Sequence, residues 1–106
     1  MNIYKQIFIS GCVQGVFFRD STCQKANALN LSGAVRNLCD GRVEVQVSGN
    51  IADIQRLIKW LKIGPKYAKV SNIEVAEAEN FDMLPVVEDA SQSIQQYRRF
   101  VVRPTK

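Results

Sequence analysis

The sequence predicts a single α+β domain in which two helices cover one face of an antiparallel sheet. Two segments, 3–9 and 42–48, alternate apolar and polar residues with the period of half-buried strands. Two others, 19–31 and 51–61, carry apolar residues at helical spacing. The chain has 106 residues, of which 46% are hydrophobic and 23% charged, and this is typical of one folded domain. We therefore expect residues 1–106 to form one unit.

The first strand and the first helix follow from these patterns. Alternation over 3–9 places Ile7 and Ile9 on one side of the strand and Tyr4 and Phe8 on the other. The helix over 19–31 should stop at Asn30, because asparagine is the non-glycine residue best suited to a left-handed C-terminal cap.

A hairpin is expected next. Segments 33–39 and 42–48 flank Asp40 and Gly41, a pair that strongly favours a tight turn between two strands. The second arm carries Val43, Val45 and Val47 at alternate positions. One face of this arm should therefore be buried and the other exposed to solvent.

The second helix has both a start and an end in the sequence. Asn50 can cap its N-terminus, Asp53 falls in its first turn, and Gly64 with Pro65 ends it. Trp60 is expected to pack beside the buried side of this helix. That buried stripe is predicted to contain Ile51, Ile54, Leu57, Ile58 and Leu61.

The C-terminal third contains two further strands and a loop. Val70, Ile73 and Val75 indicate a strand whose period slips between 70 and 73. Segment 78–96 is acidic and weakly periodic, so we expect a loop there, and Phe100 and Val102 mark a last strand. The resulting order, βαββαβ plus a terminal strand, is that of the ferredoxin-like sandwich.

Composition excludes several kinds of site. The chain contains no histidine, which removes Ser/His and Cys/His catalytic pairs and every histidine-ligated metal site. The net charge of +4 is polarised, since residues 71–95 hold six acidic side chains and no basic one. This polarity weakens a simple polyanion-binding interpretation.

The cysteines and the hydropathy favour a reduced, cytoplasmic protein. Cys12, Cys23 and Cys39 form neither a Cys-x-x-Cys pair nor an even disulfide framework, and we expect them to pack as small core residues. The apolar runs are too short to cross a bilayer, so no membrane contact is expected.

The segment that carries chemistry is 11–19, with the sequence GCVQGVFFR, between the first strand and the first helix. Unpaired N–H groups and the helix dipole favour an anion at a helix N-terminus. Gly11 and Gly15 permit a close backbone approach, and Arg19 adds a permanent charge whose planar fork matches phosphate oxygens. The residues alone therefore predict an oxyanion-binding loop, although two glycines here could also serve only a turn.

Three ordered motifs resemble those of the acylphosphatase family. Segment 11–19 fits its first-loop pattern G-x-V-Q-G-V-x-[FY]-R, and segment 33–45 fits G-x-V-x-N-x-x-D-G-x-V-E-V. Segment 60–70 fits a third run, W-L-x-x-G-P-x-x-A-x-V. The resemblance covers roughly residues 3–77 and resumes at Phe100.

This resemblance implies a small hydrolase of acid anhydrides that cleaves the carboxyl–phosphate bond of acyl phosphates such as acetyl or carbamoyl phosphate. It implies no metal and no cofactor, and we expect a monomer acting on a small substrate. Arg19 and Asn37 would be the catalytic residues, Asn37 orienting the attacking water. The phosphate would be held by Arg19 and by the backbone amides of the loop, whose phosphate-binding residues would be Cys12, Val13, Gln14, Gly15, Val16, Phe17, Phe18 and Arg19.

Cys12 is not expected to act as a nucleophile. Cysteine phosphatases place five residues between their cysteine and arginine, whereas six separate Cys12 from Arg19, and the family pattern leaves position 12 variable. A bystander thiol is therefore favoured.

Three other functions are compatible with this element order. A non-catalytic phosphate or metabolite sensor would need the anion-binding loop but not Asn37. An RNA-recognition module would need aromatic residues on its central strands, but segment 42–47 has none and contains Glu44, while Tyr4 and Phe8 are expected in the core. We therefore expect no nucleic-acid partner.

A larger carbamoyl-transfer maturation protein with a related domain would need cysteine-rich modules that 106 residues do not contain.

Overall fold

The structure, a computed structural model, describes residues 2–78 and 100–105. The predicted order of elements is confirmed. The strands are β1 (Asn2–Cys12), β2 (Ser32–Asn37), β3 (Val43–Asn50), β4 (Lys69–Ala78) and β5 (Phe100–Val102), and the helices are α1 (Phe18–Ala28) and α2 (Ile51–Leu61). Ala78, predicted to begin the acidic loop, instead ends β4, and the remainder of that loop, 79–96, lies outside the described residues.

The five strands form one sheet in the order β4-β1-β3-β2-β5. The prediction of an antiparallel sheet holds for four strands, but β5 pairs parallel to β2, so the sheet is mixed at that edge. The side chain of Asn27 on α1 fixes the start of β5. Its Oδ1 accepts from the Phe100 N–H at 2.9 Å and its Nδ2 donates to the Phe100 carbonyl at 3.1 Å.

The core lies between the sheet and the two helices. Alternate residues of β1, β2 and β3 turn toward the helices, and they include Ile7, Ile9 and Val45, which are fully buried. Burying a side chain of this size stabilises the fold by about 1.5–3 kcal/mol. Of the stripe predicted for α2, Ile54, Leu57 and Leu61 are buried, whereas Ile51, the first residue of the helix, is 45% exposed.

The opposite face of the sheet is polar. Tyr4 and Phe8 were expected in the core, but alternation places them on this face, away from Ile7 and Ile9. The guanidinium of Arg42 lies 4.7 Å from the ring centre of Phe8. At the middle of this face, Glu44 is buried and pairs with Arg36.

The connections explain where the elements end. Helix α1 stops at Ala28, earlier than predicted, while Asn30 adopts the expected left-handed conformation at φ 59°. The β1–β4 register shifts between Ser10 and Gly11, which produces the predicted irregularity after Val70. A Cβ on Gly11 would lie 2.1 Å from the Lys69 carbonyl oxygen, so only glycine fits this bulge.

The cysteines correct one expectation. Cys23 packs against the core, with its Sγ 3.1 Å from the Phe100 carbonyl oxygen, but Cys12 and Cys39 are exposed. They lie where β1 ends and where the β2–β3 turn begins, outside the packed layer between the helices and the sheet.

Across the part of the chain that the structure describes, neither helix is long and apolar enough to cross a membrane.

Candidate active site

A cavity of about 270 Å³ opens where the β1–α1 loop meets the end of β2. The loop, the first turn of α1 and the last residue of β2 all contribute to its wall. The lining residues are Val13, Gly15, Phe17, Arg19, Asp20 and Asn37.

The backbone of segment 13–17 is shaped to receive an anion. Gly15 and Phe17 both have left-handed conformations, at φ 76° and φ 62°. Left-handed residues at alternate positions direct successive N–H groups toward one concave side. Among residues 2–78 and 100–105, no backbone carbonyl accepts from the N–H groups of residues 14–19.

The N-terminus of α1 therefore remains open toward the cavity. Its N-cap, Phe17, provides no side-chain hydrogen bond, and its aromatic ring is 76% exposed. An uncapped first turn leaves several N–H groups and the positive end of the helix dipole available.

Arg19 and Asp20 bring opposite charges to the cavity. Arg19 is half-buried in the first turn of α1 and, within the described ranges, forms no ion pair with an aspartate or glutamate. Asp20 follows it and is exposed. The guanidinium is thus free to pair with a bound anion, and the neighbouring carboxylate moderates the positive field.

Asn37 faces the cavity from the last position of β2. Its Oδ1 is shielded from solvent and has no hydrogen-bond partner among the described residues. An amide group without a protein partner at a cavity wall is available to a bound water or ligand.

Comparison with known proteins identifies the family. A sequence model described as acylphosphatase matches residues 5–83. The chain belongs to the acylphosphatase family. An acylphosphatase of Alkalilimnicola ehrlichii is 49% identical over 76 residues, covering 72% of this chain and 85% of that one. One of Rubrobacter xylanophilus is 49% identical over 72 residues, covering 68% and 66%. The structure of an acylphosphatase from Coxiella burnetii superposes with a TM-score of 0.79 at 37% identity, covering 96% of this chain and 93% of that one.

Only some of the residues that the acylphosphatase resemblance placed around the phosphate line the cavity. Val13, Gly15, Phe17 and Arg19 line the cavity together with Asn37. The other four have different environments. Cys12 is the exposed last residue of β1, Val16 packs against the core, Phe18 is buried with its ring 6.0 Å from that of Trp60, and the side chain of Gln14 turns toward the β2–β3 hairpin.

Gln14 connects the two halves of the site. Its Nε2 donates to the Leu38 carbonyl at 2.8 Å and to the Arg42 carbonyl at 2.9 Å. Leu38 directly follows Asn37. The loop is thus bonded to the strand end that carries the facing wall of the cavity.

Asp20 and the side-chain contacts of Gln14 were not predicted from the sequence. The position of Asp20, adjacent to Arg19 in the first turn of α1, was a usable indication, because residues of a first turn surround the helix N-terminus. Nothing in the sequence shows the partners of Gln14, since they are backbone carbonyls more than twenty residues away.

Asp40 stabilises the turn beside the site. Its carboxylate accepts from the Arg42 backbone N–H at 3.1 Å and from Arg42 Nε at 2.8 Å. The backbone hydrogen bond, followed by the guanidinium, holds the pKa of Asp40 below its usual value of 3.8. In the described part of the chain, no group of three or more metal-ligating side chains is gathered at one place.

Proposed function

We propose that the cavity binds the phosphoryl group of a small acyl phosphate and directs water onto its phosphorus atom. The chain is a member of a hydrolase family, the acylphosphatases. The observation that carries the proposal is the N-terminus of α1, which opens uncapped into the cavity with Arg19 beside it.

Phosphate binding would rest on the loop backbone and Arg19. The N–H groups of residues 14–19 have no backbone acceptor among the described residues, so an anion can take their hydrogen bonds without breaking any. The guanidinium of Arg19 supplies two parallel donors and a full positive charge. Together these donors would meet charge on the equatorial oxygens as the transition state develops.

The attacking water would be oriented by Asn37. Its amide can donate from nitrogen and accept at oxygen, and a half-turn about the Cβ–Cγ bond exchanges which of them faces the cavity. The water oxygen forms a bond to phosphorus while the bond from phosphorus to the acyl oxygen breaks. The bonding electron pair leaves with the carboxylate, and a phosphate oxygen takes the proton from water.

This reaction needs no strong base. A carboxylate is a good leaving group, so positioning the water and stabilising charge supply most of the catalysis. The absence of histidine from the sequence is compatible with such a mechanism.

We also infer that the chain acts as a cytoplasmic monomer without a nucleic-acid partner. Arg19 and Asn37 meet in one cavity within a single chain, so the proposed site needs no residue from a second copy. On the polar sheet face, where RNA-recognition modules stack bases on aromatic residues, Phe8 lies opposite the buried carboxylate of Glu44 and its ring is already contacted by the Arg42 guanidinium at 4.7 Å. Light scattering at assay concentration tests the monomeric state, and titration with single-stranded RNA tests the absence of a nucleic-acid partner. A dimer or a salt-dependent RNA complex would contradict them.

The decisive experiment measures hydrolysis of benzoyl phosphate in excess chelator. Wild-type protein should turn over, and inorganic phosphate should inhibit competitively. Asn37→Ala should lower kcat by about 10²-fold, the scale of a mispositioned reactant, with KM within threefold. Asn72→Ala, at an exposed position of β4, is the matched control and should behave as wild type.

Two results would contradict the proposal. An inactive wild-type protein would reject the hydrolysis of this substrate class. Unchanged kcat in Asn37→Ala would remove this residue from the mechanism.

A further inference from the structure

We propose that Gln14 is a positioning residue that fixes the geometry between the phosphate-binding loop and Asn37. This inference rests on the proposed function. It concerns the side chain of Gln14, which does not line the cavity and instead reaches across to the β2–β3 hairpin.

Two backbone carbonyl groups at the end of the hairpin form a binding site for one primary amide. Leu38 N–H donates to the Arg42 carbonyl at 2.8 Å, and Gly41 N–H donates to the Leu38 carbonyl at 3.1 Å. Each of these carbonyls then accepts a second hydrogen bond from Gln14, at 2.8 and 2.9 Å. All four lone pairs of the two oxygens are occupied, and both hydrogens of the amide are used.

This arrangement is specific for glutamine at position 14. A glutamate would place a negative oxygen against two carbonyl oxygens, a methionine has no donor, and an asparagine is one methylene shorter. Because the hydrogen bonds are partly buried, losing the donors leaves two carbonyl lone pairs unsatisfied.

The consequence lies one residue away, at Asn37. In the proposed function the loop holds the phosphate and Asn37 holds the water, and Gln14 and Asn37 are more than twenty residues apart in the sequence. In-line attack requires both reactants within a few tenths of an ångström of their productive positions, and a displacement of 1 Å can cost 10² in rate. Among residues 2–78 and 100–105, the Gln14 side chain bonds one segment to the other.

The test compares Gln14→Met with Gln6→Met. Gln6 is the matched control, because it also lies at the sheet and its Nε2 also makes a partly buried bond to another strand, at 2.7 Å from Glu44. Gln14→Met should lower kcat for benzoyl phosphate 10- to 100-fold, while the inhibition constant of inorganic phosphate stays within threefold. Gln6→Met should retain kcat. Gln14→Glu, with nearly the same shape as glutamine, should lower kcat further than Gln14→Met.

A structural measurement accompanies the kinetics. In ¹⁵N-labelled protein without substrate, Gln14→Met should shift the side-chain amide resonances of Asn37, whereas Gln6→Met should not. A wild-type protein without activity would reject the proposed function, and this measurement would still test the link between Gln14 and Asn37.

Three results would overturn the inference. The first is kcat of Gln14→Met within threefold of wild type, and the second is an equal loss in Gln6→Met. The third is a loss of phosphate binding in proportion to kcat, which would make Gln14 part of the phosphate site itself.

Discussion

The two helices of this protein begin in opposite ways. At α2, Asn50 has an extended backbone and its Oδ1 accepts from the Ala52 N–H at 2.8 Å, with Asp53 in the first turn. At α1, Phe17 has a left-handed backbone and provides no side-chain hydrogen bond. The N-terminus of α2 is capped by its own side chain, whereas the N-terminus of α1 is left open to the cavity.

The two kinds of N-terminus serve different purposes, one the stability of the helix and the other the binding of a ligand. A capped N-terminus satisfies its own donors and stabilises the helix, typically by about 1 kcal/mol. An open N-terminus forgoes that stabilisation but keeps its N–H groups and dipole available for a ligand. Helix α1 accordingly depends on the packing of Phe18, Thr22 and Ala26, and on an anion when one is bound.

Arginine substitutions should reveal this contrast most strongly. Arg19→Ala should lower kcat/KM by about 10²–10³-fold, because a charged donor to the transition state is lost. Inorganic phosphate should raise Tm of the wild-type protein by mass action but not that of Arg19→Ala. Arg56→Ala, on α2, is the control, since this exposed arginine pairs with Asp53 at 2.7 Å and does not line the cavity. Equal kinetic effects of the two substitutions would remove Arg19 from the proposed mechanism.

Removing the cap of α2 should affect stability alone. Asn50→Ala should reduce the free energy of unfolding by about 1 kcal/mol, equivalent to a fall in Tm of roughly 4–8 °C for a domain of this size. Thermal denaturation measures this effect, and kinetics at a temperature well below Tm should be unchanged. A fall in kcat there would show that the two helix N-termini are coupled.

The acidic residues of the two first turns give a smaller contrast. Asp20→Asn should tighten inhibition by phosphate about two- to fivefold, because one like charge beside the anion is removed and salt screens the remainder. Asp53→Asn should leave inhibition unchanged. A large fall in kcat for Asp20→Asn would instead assign Asp20 the proton transfer that we give to the phosphate oxygen.

The smallest effect is expected at Asp40, whose Oδ1 accepts from the N–H two residues ahead, as Asn50 does. Because the folded-state pKa of Asp40 is lowered, its ionised form favours the folded state above pH of about 3.8. That contribution disappears as the pH falls through the lowered pKa. Asp40→Asn should therefore lower Tm slightly at pH 7 and match wild type in strong acid. A difference that persists in acid would assign the effect to packing.

The sequence predicted the ends of the helices well where a single local interaction determines the backbone conformation. Asn50 caps α2 and Asn30 adopts the left-handed conformation as expected, because both depend on neighbouring backbone atoms. The slip after Val70 was also visible as a break in alternation. The prediction failed for Tyr4 and Phe8, since alternation shows which residues share a face but not which face the helices cover.

The candidate site likewise contains some features that the sequence predicted and others that it did not. The resemblance to acylphosphatases predicted that Arg19, Asn37 and the loop act together, and the structure brings Arg19 and Asn37 to one cavity. The sequence could not show that the Gln14 amide forms hydrogen bonds to the hairpin, nor that Asp20 lines the same cavity. Both facts depend on how two distant segments meet.

The sequence by itself determined the order of elements, the family, the residues of the loop and the exclusion of histidine chemistry, because these follow from local pattern and composition. Only the tertiary structure decided that β5 runs parallel to β2, that the N-terminus of α1 stays uncapped, and that Asn37 faces the loop across a cavity of about 270 Å³. The physical reason is that strand pairing and a shared cavity are contacts between segments far apart in the chain. Their geometry is set by packing around the core, which no local pattern records.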